Sequence, residues 1–337
     1  MDLSGGFKMN KYKISVITPL YKVEDYIEKC CHSLFQQPLE EIEYIFVDDC
    51  SPDSSNEILL KVLEGYPSRR MDVKIIRHES NLGVACARNT GLENASGEYV
   101  LFVDADDWLE SHALKDIYET ACNGNYDIIG YDWYLEFSTN RRYLKQPVYD
   151  NAESCFKAML AGELRWYLWA FMVRRSLYEA NKFRFIPGLN VGEDMMMLLK
   201  LFASAKNYKH ISKALYHYIQ TNKASITQLE ARKQLEIVKQ NADEAISYLR
   251  VKYGNALTED LHFLMLNLKF PLLITDNSSN YDLWNASFEE ANISIWKNKH
   301  VSFRSKLLQW MAMNRQYWFL KVYYKVLFKF VYGVLYR

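Results

Sequence analysis

The chain of 337 residues lacks any pattern of paired cysteines. Its six, Cys30, Cys31, Cys50, Cys86, Cys122 and Cys155, show no C-x-x-C spacing. That argues against a zinc site or a disulfide framework and for reduced thiols in a cytosolic protein. No apolar run reaches the roughly 18 uncharged residues that a spanning helix needs. Residues 1–11 are polar and contain glycine, which does not suit a signal segment. G-x-G-x-x-G does not follow the first strand, and G-x-x-x-x-G-K-[ST] occurs nowhere. The usual dinucleotide and P-loop phosphate cradles are therefore excluded. There is no internal repeat and no low-complexity tract. Lys+Arg and Asp+Glu both number 41, so whole-chain charge argues neither for nor against nucleic acid. One end lacks acids altogether: residues 301–337 contain no Asp or Glu, only Arg304, Lys306, Arg315, Lys321, Lys325, Lys329 and Arg337.

What is present centres on Tyr99-Val-Leu-Phe-Val-Asp-Ala-Asp-Asp107. The apolar run Tyr99 to Val103 reads as a buried strand. It ends in Asp104, Asp106 and Asp107, which repel one another unless a cation sits among them. A hard divalent ion with oxygen ligands, Mg²⁺ or Mn²⁺, is the simplest partner, and it brings substrate phosphates with it. The alternative is that one acid, such as Asp107, caps a helix beginning at Trp108 and running to Tyr118. Capping uses one carboxylate and leaves two unexplained.

Upstream, strand and helix alternate. Strands are expected at Tyr12 to Thr18 (closed by Pro19), Glu43 to Val47, Val73 to Ile76 and Asp127 to Tyr131, with helices at Glu24–Gln36, Asn56–Leu63 and from Asn81 to about Glu93. This pattern implies a mostly parallel sheet with helices on both faces. Asp48 and Asp49 close the second strand and lie on the same sheet edge as the Asp104 cluster, where α/β folds bind ligands. A nucleoside between the clusters would place Asp49 on a base N–H and Asp104 on ribose hydroxyls. Asp48 and Asp53 read instead as turn and cap residues.

Four blocks carry a resemblance: Ile14-Ser-Val-Ile-Thr-Pro-Leu-Tyr21, Val47-Asp-Asp-Cys-Ser-Pro-Asp53, Asn81-Leu-Gly-Val-Ala-Cys-Ala-Arg-Asn-Thr-Gly91 and Gly97 to Asp107. In this order and spacing they resemble the family 2 glycosyltransferases, inverting enzymes of GT-A fold, over residues 12–225. The resemblance implies that Pro19 and Tyr21 line the base pocket, with Tyr21 stacked on the base. Asp49 reads the base edge, typically uracil, and Arg88 lies near base and diphosphate. Asp104 and Asp106 match the D-x-D motif, with Asp106 the main Mn²⁺ or Mg²⁺ ligand and Asp104 nearer the ribose. Asp107 helps position metal or sugar.

Inversion needs a general base on the sugar face opposite the leaving nucleotide. Gly192 precedes an apolar helix, which puts Glu193 and Asp194 at its N-terminus, where N–H groups and the dipole favour ionised acids. By residues alone this is also ordinary helix-start chemistry. The resemblance to the family's E-D motif makes Asp194 the base and has Glu193 orient donor sugar or acceptor. Arg165 to Arg175 resembles the acceptor-side segment; Trp169 matches and would either stack on a sugar face or simply pack in the core, while Ala170-Phe171 replaces a polar pair. Leu215 to Ile226 resembles the loop that closes on the diphosphate. Ser225 fits, but Ile219 stands where relatives carry Arg, and Gln220 or Lys223 would have to compensate. His217 is a candidate metal or phosphate ligand or a packed strand residue.

The C-terminal third reads as helices at Leu229–Tyr253, Thr258–Leu273 and Asp282–Lys297. Then comes a basic, aromatic tail, Leu307–Arg337, with Lys321, Lys325 and Lys329 on one face. Such a helix suits the plane of an anionic membrane; its alternative is a helix packed on the protein with solvated lysines. The expectation is a GT-A catalytic domain over 1–226 and a helical region over 227–337. The activity expected is hexosyl or N-acetylhexosaminyl transfer from a nucleotide-sugar donor, UDP-linked, to a glycan or lipid-linked acceptor. The protein would be cytoplasmic and peripheral on the inner face of the cell membrane, with no nucleic acid partner. The rivals are a nucleotidyltransferase and a weakly active sugar-nucleotide-binding scaffold.

Overall fold

The computed structural model describes residues 11–222 and 231–326. The chain forms two compact units, residues 1–152 with 167–225, and residues 153–166 with 226–337. Residues 153–166 thus cluster with the helical region, although they lie within the span expected for the catalytic domain.

In the first unit the strands are β1 Ile14–Leu20, β2 Ile42–Asp48, β3 Val73–Arg77, β4 Tyr99–Phe102, β5 Trp108–Leu109, β6 Ile128–Glu136, β7 Arg141–Leu144, β8 Phe171–Arg174 and β9 Tyr208–Ile219. The helices are α1 Ile27–Phe35, α2 Ser55–Glu64, α3 Val84–Asn94, α4 Ala113–Gly124, α6 Arg175–Ala180 and α7 Glu193–Ser204. Strand order is β3-β2-β1-β4-β8-β6-β9-β5, with β7 paired to β6. β1, β2, β3 and β4 run parallel, whereas β8 is antiparallel to both β4 and β6. The sheet is therefore mixed: its long ladders, including β6 with β9, are parallel, and β5, β7 and β8 add short antiparallel pairings. A short buried run reads the same in either direction, so periodicity could not reveal that β8 reverses.

β2 and β4 are buried along their whole length and β1 nearly so, as expected for strands covered on both faces. The strand order doubles back at β1, which lies between β2 and β4, and such switch points open a crevice at the carboxyl edge. Register puts both acid clusters there: Asp49 N–H donates to the Leu20 carbonyl (3.0 Å), and Val103 N–H to that of Ile17 (3.0 Å). Backbone strain gathers at the same edge, since Lys22 and Cys50 both hold positive φ (54° and 57°) just past β1 and β2.

The helix expected from Trp108 begins at Ala113 instead. Trp108-Leu109 pairs antiparallel with His217 and Tyr216 of β9. A tertiary partner has overridden local helical periodicity. β1 also runs through Pro19 to Leu20.

In the second unit the helices are α5 Ala152–Ala161, α8 Ala231–Tyr253, α9 Thr258–Lys269, α10 Ser278–Ala286, α11 Phe303–Met313 and α12 Tyr317–Tyr324. Trp284 and Tyr281 are fully buried there. The basic tail is not one helix: Asn314 to Gln316 separates α11 from α12, with Arg315 at positive φ. Lys329 lies outside the described residues. No helix among the described residues is long and apolar enough to cross a membrane.

Glu43 locks the entry to β4. Its buried carboxylate accepts from Ser15 Oγ (2.6 Å), Ser96 Oγ (2.9 Å) and Gly97 N–H (3.0 Å), and pairs with Lys74 (2.9 Å). Burial pushes its pKa up, but the Ser15, Lys74 and Ser96 hydrogen bonds outweigh this and leave it lowered. Its stabilisation is thus present above the ordinary carboxylate range and lost as pH falls. Glu43→Ala orphans these donors and should cost about 3 kcal/mol in urea unfolding at neutral pH; a cost below about 1 kcal/mol would contradict the anchoring role.

Candidate active site

Two glycines set up the crevice walls. Gly83 (φ +88°) precedes α3 and lies against Asn190, whose side chain accepts from Ala85 N–H (3.1 Å). Gly192 (φ +81°) precedes α7 and starts it so that Glu193 and Asp194 fall in the first turn. The rest of α7, Met195 to Ala203, is buried, which fixes how that turn is presented.

Arg88 of α3 joins these walls. It is 4% exposed. Its Nη1 donates to Glu193 (2.7 Å) and Asp194 (2.6 Å), and Nη2 reaches Asp104 (3.5 Å). One guanidinium therefore ties the D-x-D strand end to the E-D helix start. Burial works against its charge, but Asp194, Glu193 and Asp104 more than compensate and raise its pKa. Arg88 was expected beside the diphosphate; it is instead buried among carboxylates, with its ring neighbours Phe102 and Phe185.

The acids feel the burial too. Glu193 is pushed up to about 7 by burial and by Asp194, against the pull of Arg88. Asp104 is pushed up to about 6 by burial, with Arg88 opposing and Asp106 adding. Asp106 is raised by burial, relieved only by the Asn222 amide (2.9 Å) and its own backbone. Asp107 is committed inside the protein: Tyr216 O–H donates to Oδ2 (2.8 Å) and Ile219 N–H to Oδ1 (2.8 Å). It neither caps a helix nor offers an oxygen to a metal.

The remaining acids fit a divalent cation. Asp104 is 31% exposed at its side chain, and among the described residues no cationic side chain pairs with Asp106. No trio of His, Cys, Asp or Glu side chains among the described residues is arranged to hold a metal alone. Two carboxylates completed by phosphate and water is the arrangement Mg²⁺ favours. His217 is not a ligand there. It lies between Glu136 (2.7 Å) and Glu110 (3.0 Å) and stacks on Trp108 and Tyr134.

The nucleoside side divides. Tyr21 is 41% exposed at the end of β1, beside the partly exposed Pro19, as a stacking platform requires. Asp49 differs from an open base reader: it is buried and accepts from His78 (2.7 Å), Leu82 N–H (2.9 Å) and Gly83 N–H (2.8 Å). It shapes the loop before α3. Trp169 takes the core-packing reading of its two. It is 3% exposed and stacks on Tyr216 (4.2 Å) and Tyr167 (4.9 Å), so it has no open face for an acceptor sugar. Ser225 and Lys223 lie outside the described residues. Tyr216, Asn222 and Asn190 were missed as site residues. Tyr216 lies in the Leu215 to Ile226 segment without a charge to mark it, and no local signal singles out the two asparagines.

Replacing Arg88 tests the hub. Both raised pKa values favour the fold at low pH, and this contribution is lost as pH rises through about 6 for Asp104 and about 7 for Glu193. Arg88→Met strands three carboxylates, so urea unfolding at about pH 8 should show a loss of about 3 kcal/mol, shrinking at about pH 5 as they take up protons. An equal loss at both pH values would mean the side chain acts by packing alone.

Comparison with known proteins agrees with this geometry. The family description "Glycosyl transferase family 2" matches residues 15–190. The uncharacterized glycosyltransferase EpsJ of Bacillus subtilis is 32% identical over 272 residues, covering 78% of this chain and 77% of that one. Glycosyltransferase GlyA of Streptococcus pneumoniae is 31% identical over 250 residues, 70% of this chain but 34% of its own. Among solved structures, Staphylococcus aureus TarS in complex with UDP-GlcNAc superposes with a TM-score of 0.64 at 19% identity, covering 93% of this chain and 91% of that one. The mannosyltransferase PcManGT of Pyrobaculum calidifontis, in complex with GDP-Man and Mn²⁺, gives a TM-score of 0.51 at 14% identity, covering 94% of this chain and 88% of that one. A crevice that joins a D-x-D strand end to an E-D helix start on one buried arginine, within a GT-A fold, thus coincides with the family match: this chain belongs to glycosyl transferase family 2 and is a glycosyltransferase.

Proposed function

We propose that this glycosyltransferase inverts, uses Mn²⁺ or Mg²⁺, and moves a hexosyl or N-acetylhexosaminyl group from a UDP-sugar to a hydroxyl of a surface-glycan or lipid-linked acceptor. The observation that carries this reading is the Arg88 bridge, which sets Asp104 and Asp194 on one cation from opposite walls. The TarS structure with UDP-GlcNAc supports the donor class.

Tyr21 and Pro19 take the base, and Asp104 and Asp106 hold the metal at the diphosphate. When bound, the metal offsets charge on the departing phosphate as a Lewis acid. Asp194 is the base. Arg88 engages one of its oxygens and Leu168 N–H (3.1 Å) the other, which keeps it oriented. Its side chain is 21% exposed against 9% for Glu193, so Asp194 is the one an acceptor hydroxyl can reach. Glu193 orients it from behind. The exposed Trp318, Val322 and Val326, with Lys325 beside them and no acid in residues 301–337, support peripheral contact with an anionic membrane.

The test is nucleoside diphosphate release with Mn²⁺ across UDP-, GDP- and dTDP-sugars. One donor should turn over, and Asp106→Ala and Asp194→Ala should each lose about 100-fold or more, with Asp194→Ala still binding nucleotide. Pyrophosphate release would instead indicate nucleotidyl transfer. Absence of any nucleotide binding would refute the reading of both acid clusters.

A further inference from the structure

Tyr216, Trp169 and Tyr167 form a three-ring stack, with interplanar angles of 8° at both contacts. Tyr216 is its buried end, with its hydroxyl on Asp107 and accepting from Asp104 N–H (3.1 Å). Trp169 fills the middle. Tyr167 is the other end and is partly exposed. Among the described residues no further ring stacks on it. Trp133 meets it edge-on (5.6 Å, 88°), and Tyr218, also partly exposed, meets it at 5.9 Å with a 57° tilt, so the two tyrosine rings form a partly exposed corner. Neither hydroxyl has a hydrogen-bond partner among the described residues.

The chain on either side points this corner at the chemistry. Leu168, next to Tyr167, gives its N–H to Asp194 (3.1 Å). Ile219, next to Tyr218, gives its N–H to Asp107 (2.8 Å). Burial raises the Tyr218 hydroxyl pKa, and the nearby charges of Asp107, Asp104 and Asp106 raise it further. We infer that Tyr167 and Tyr218 form the subsite for the acceptor's pyranose ring, and that this ring is uncharged. The inference rests on the transferase reading above. A pyranose presents a C–H face that packs on an aromatic ring and hydroxyls that pair with phenol oxygens. A uronic acid would bring a carboxylate toward Asp194, whose neighbour Arg88 already pairs with Glu193, Asp194 and Asp104.

The experiment is saturation-transfer NMR of the whole protein with methyl glucopyranoside, methyl galactopyranoside, methyl N-acetylglucosaminide and methyl glucuronide. At least one neutral glycoside should bind and the glucuronide should not. Tyr167→Leu should weaken the bound glycoside about tenfold, while Tyr167→Phe, which keeps the ring, stays within about threefold. Melting temperatures of both variants report whether the fold survives; if Tyr167→Leu unfolds, Tyr218→Leu against Tyr218→Phe replaces it. Equal binding by the Leu and Phe variants, a preference for the glucuronide, or no binding of any pyranoside would overturn the assignment. Donor turnover to water is measured separately. Its failure sinks the transferase reading and leaves ring binding to be judged on its own.

Discussion

One buried cation holds the site together. Arg88 sits where three carboxylates from two walls of the crevice would otherwise repel one another: Asp104 at the end of β4, and Glu193 and Asp194 at the start of α7. Removing such a group costs more than breaking a surface pair, because it leaves Glu193 buried and all three acids without a counter-charge. The raised pKa values of Asp104 and Glu193 show that even one guanidinium does not fully compensate for their burial. One guanidinium thus serves three carboxylates, with Asp106 beside them, which suits the divalent cation and diphosphate proposed for the crevice.

A second support comes from β9. This strand places Tyr216 under Asp107 and Asp104, hands the Ile219 N–H to Asp107, and leads to Asn222 on Asp106. His217, clamped by Glu110 and Glu136 between two rings, secures β9 to β5 and β6. Uncharged groups of β9 thus hold Asp107 and the Asp104 backbone, Asn222 just beyond β9 holds the Asp106 carboxylate, and Arg88 supplies the charge at Asp104. Since Ile219 acts through its backbone, an aliphatic residue can serve Asp107 there; its side chain brings no cation to a phosphate.

Much of the site could be read from residue order. Asp104, Asp106, Glu193 and Asp194 were legible because carboxylates beside an apolar strand or at a helix start need a reason to be there. Contacts between distant segments were not. Trp169 could be read as a sugar platform or as core because a tryptophan's chemistry is the same whether its face is open or covered, and the stack with Tyr167 and Tyr216 decides for the core. Asp49 looked like a base reader until His78 and the 82–83 amides occupied it. Trp108 looked helical because its apolar spacing fits a helix, but β9 recruits it as a strand.

The sequence by itself determined the alternation of elements, the sheet edge on which both acid clusters lie, and the family, because strand and helix periods and motif order are local properties of the chain. The tertiary structure alone decided which acids share a cation, which aromatic ring keeps an open face, and in which direction β8 runs. Those outcomes depend on packing between segments as much as 106 residues apart, as between Arg88 and Asp194, and no local pattern encodes them.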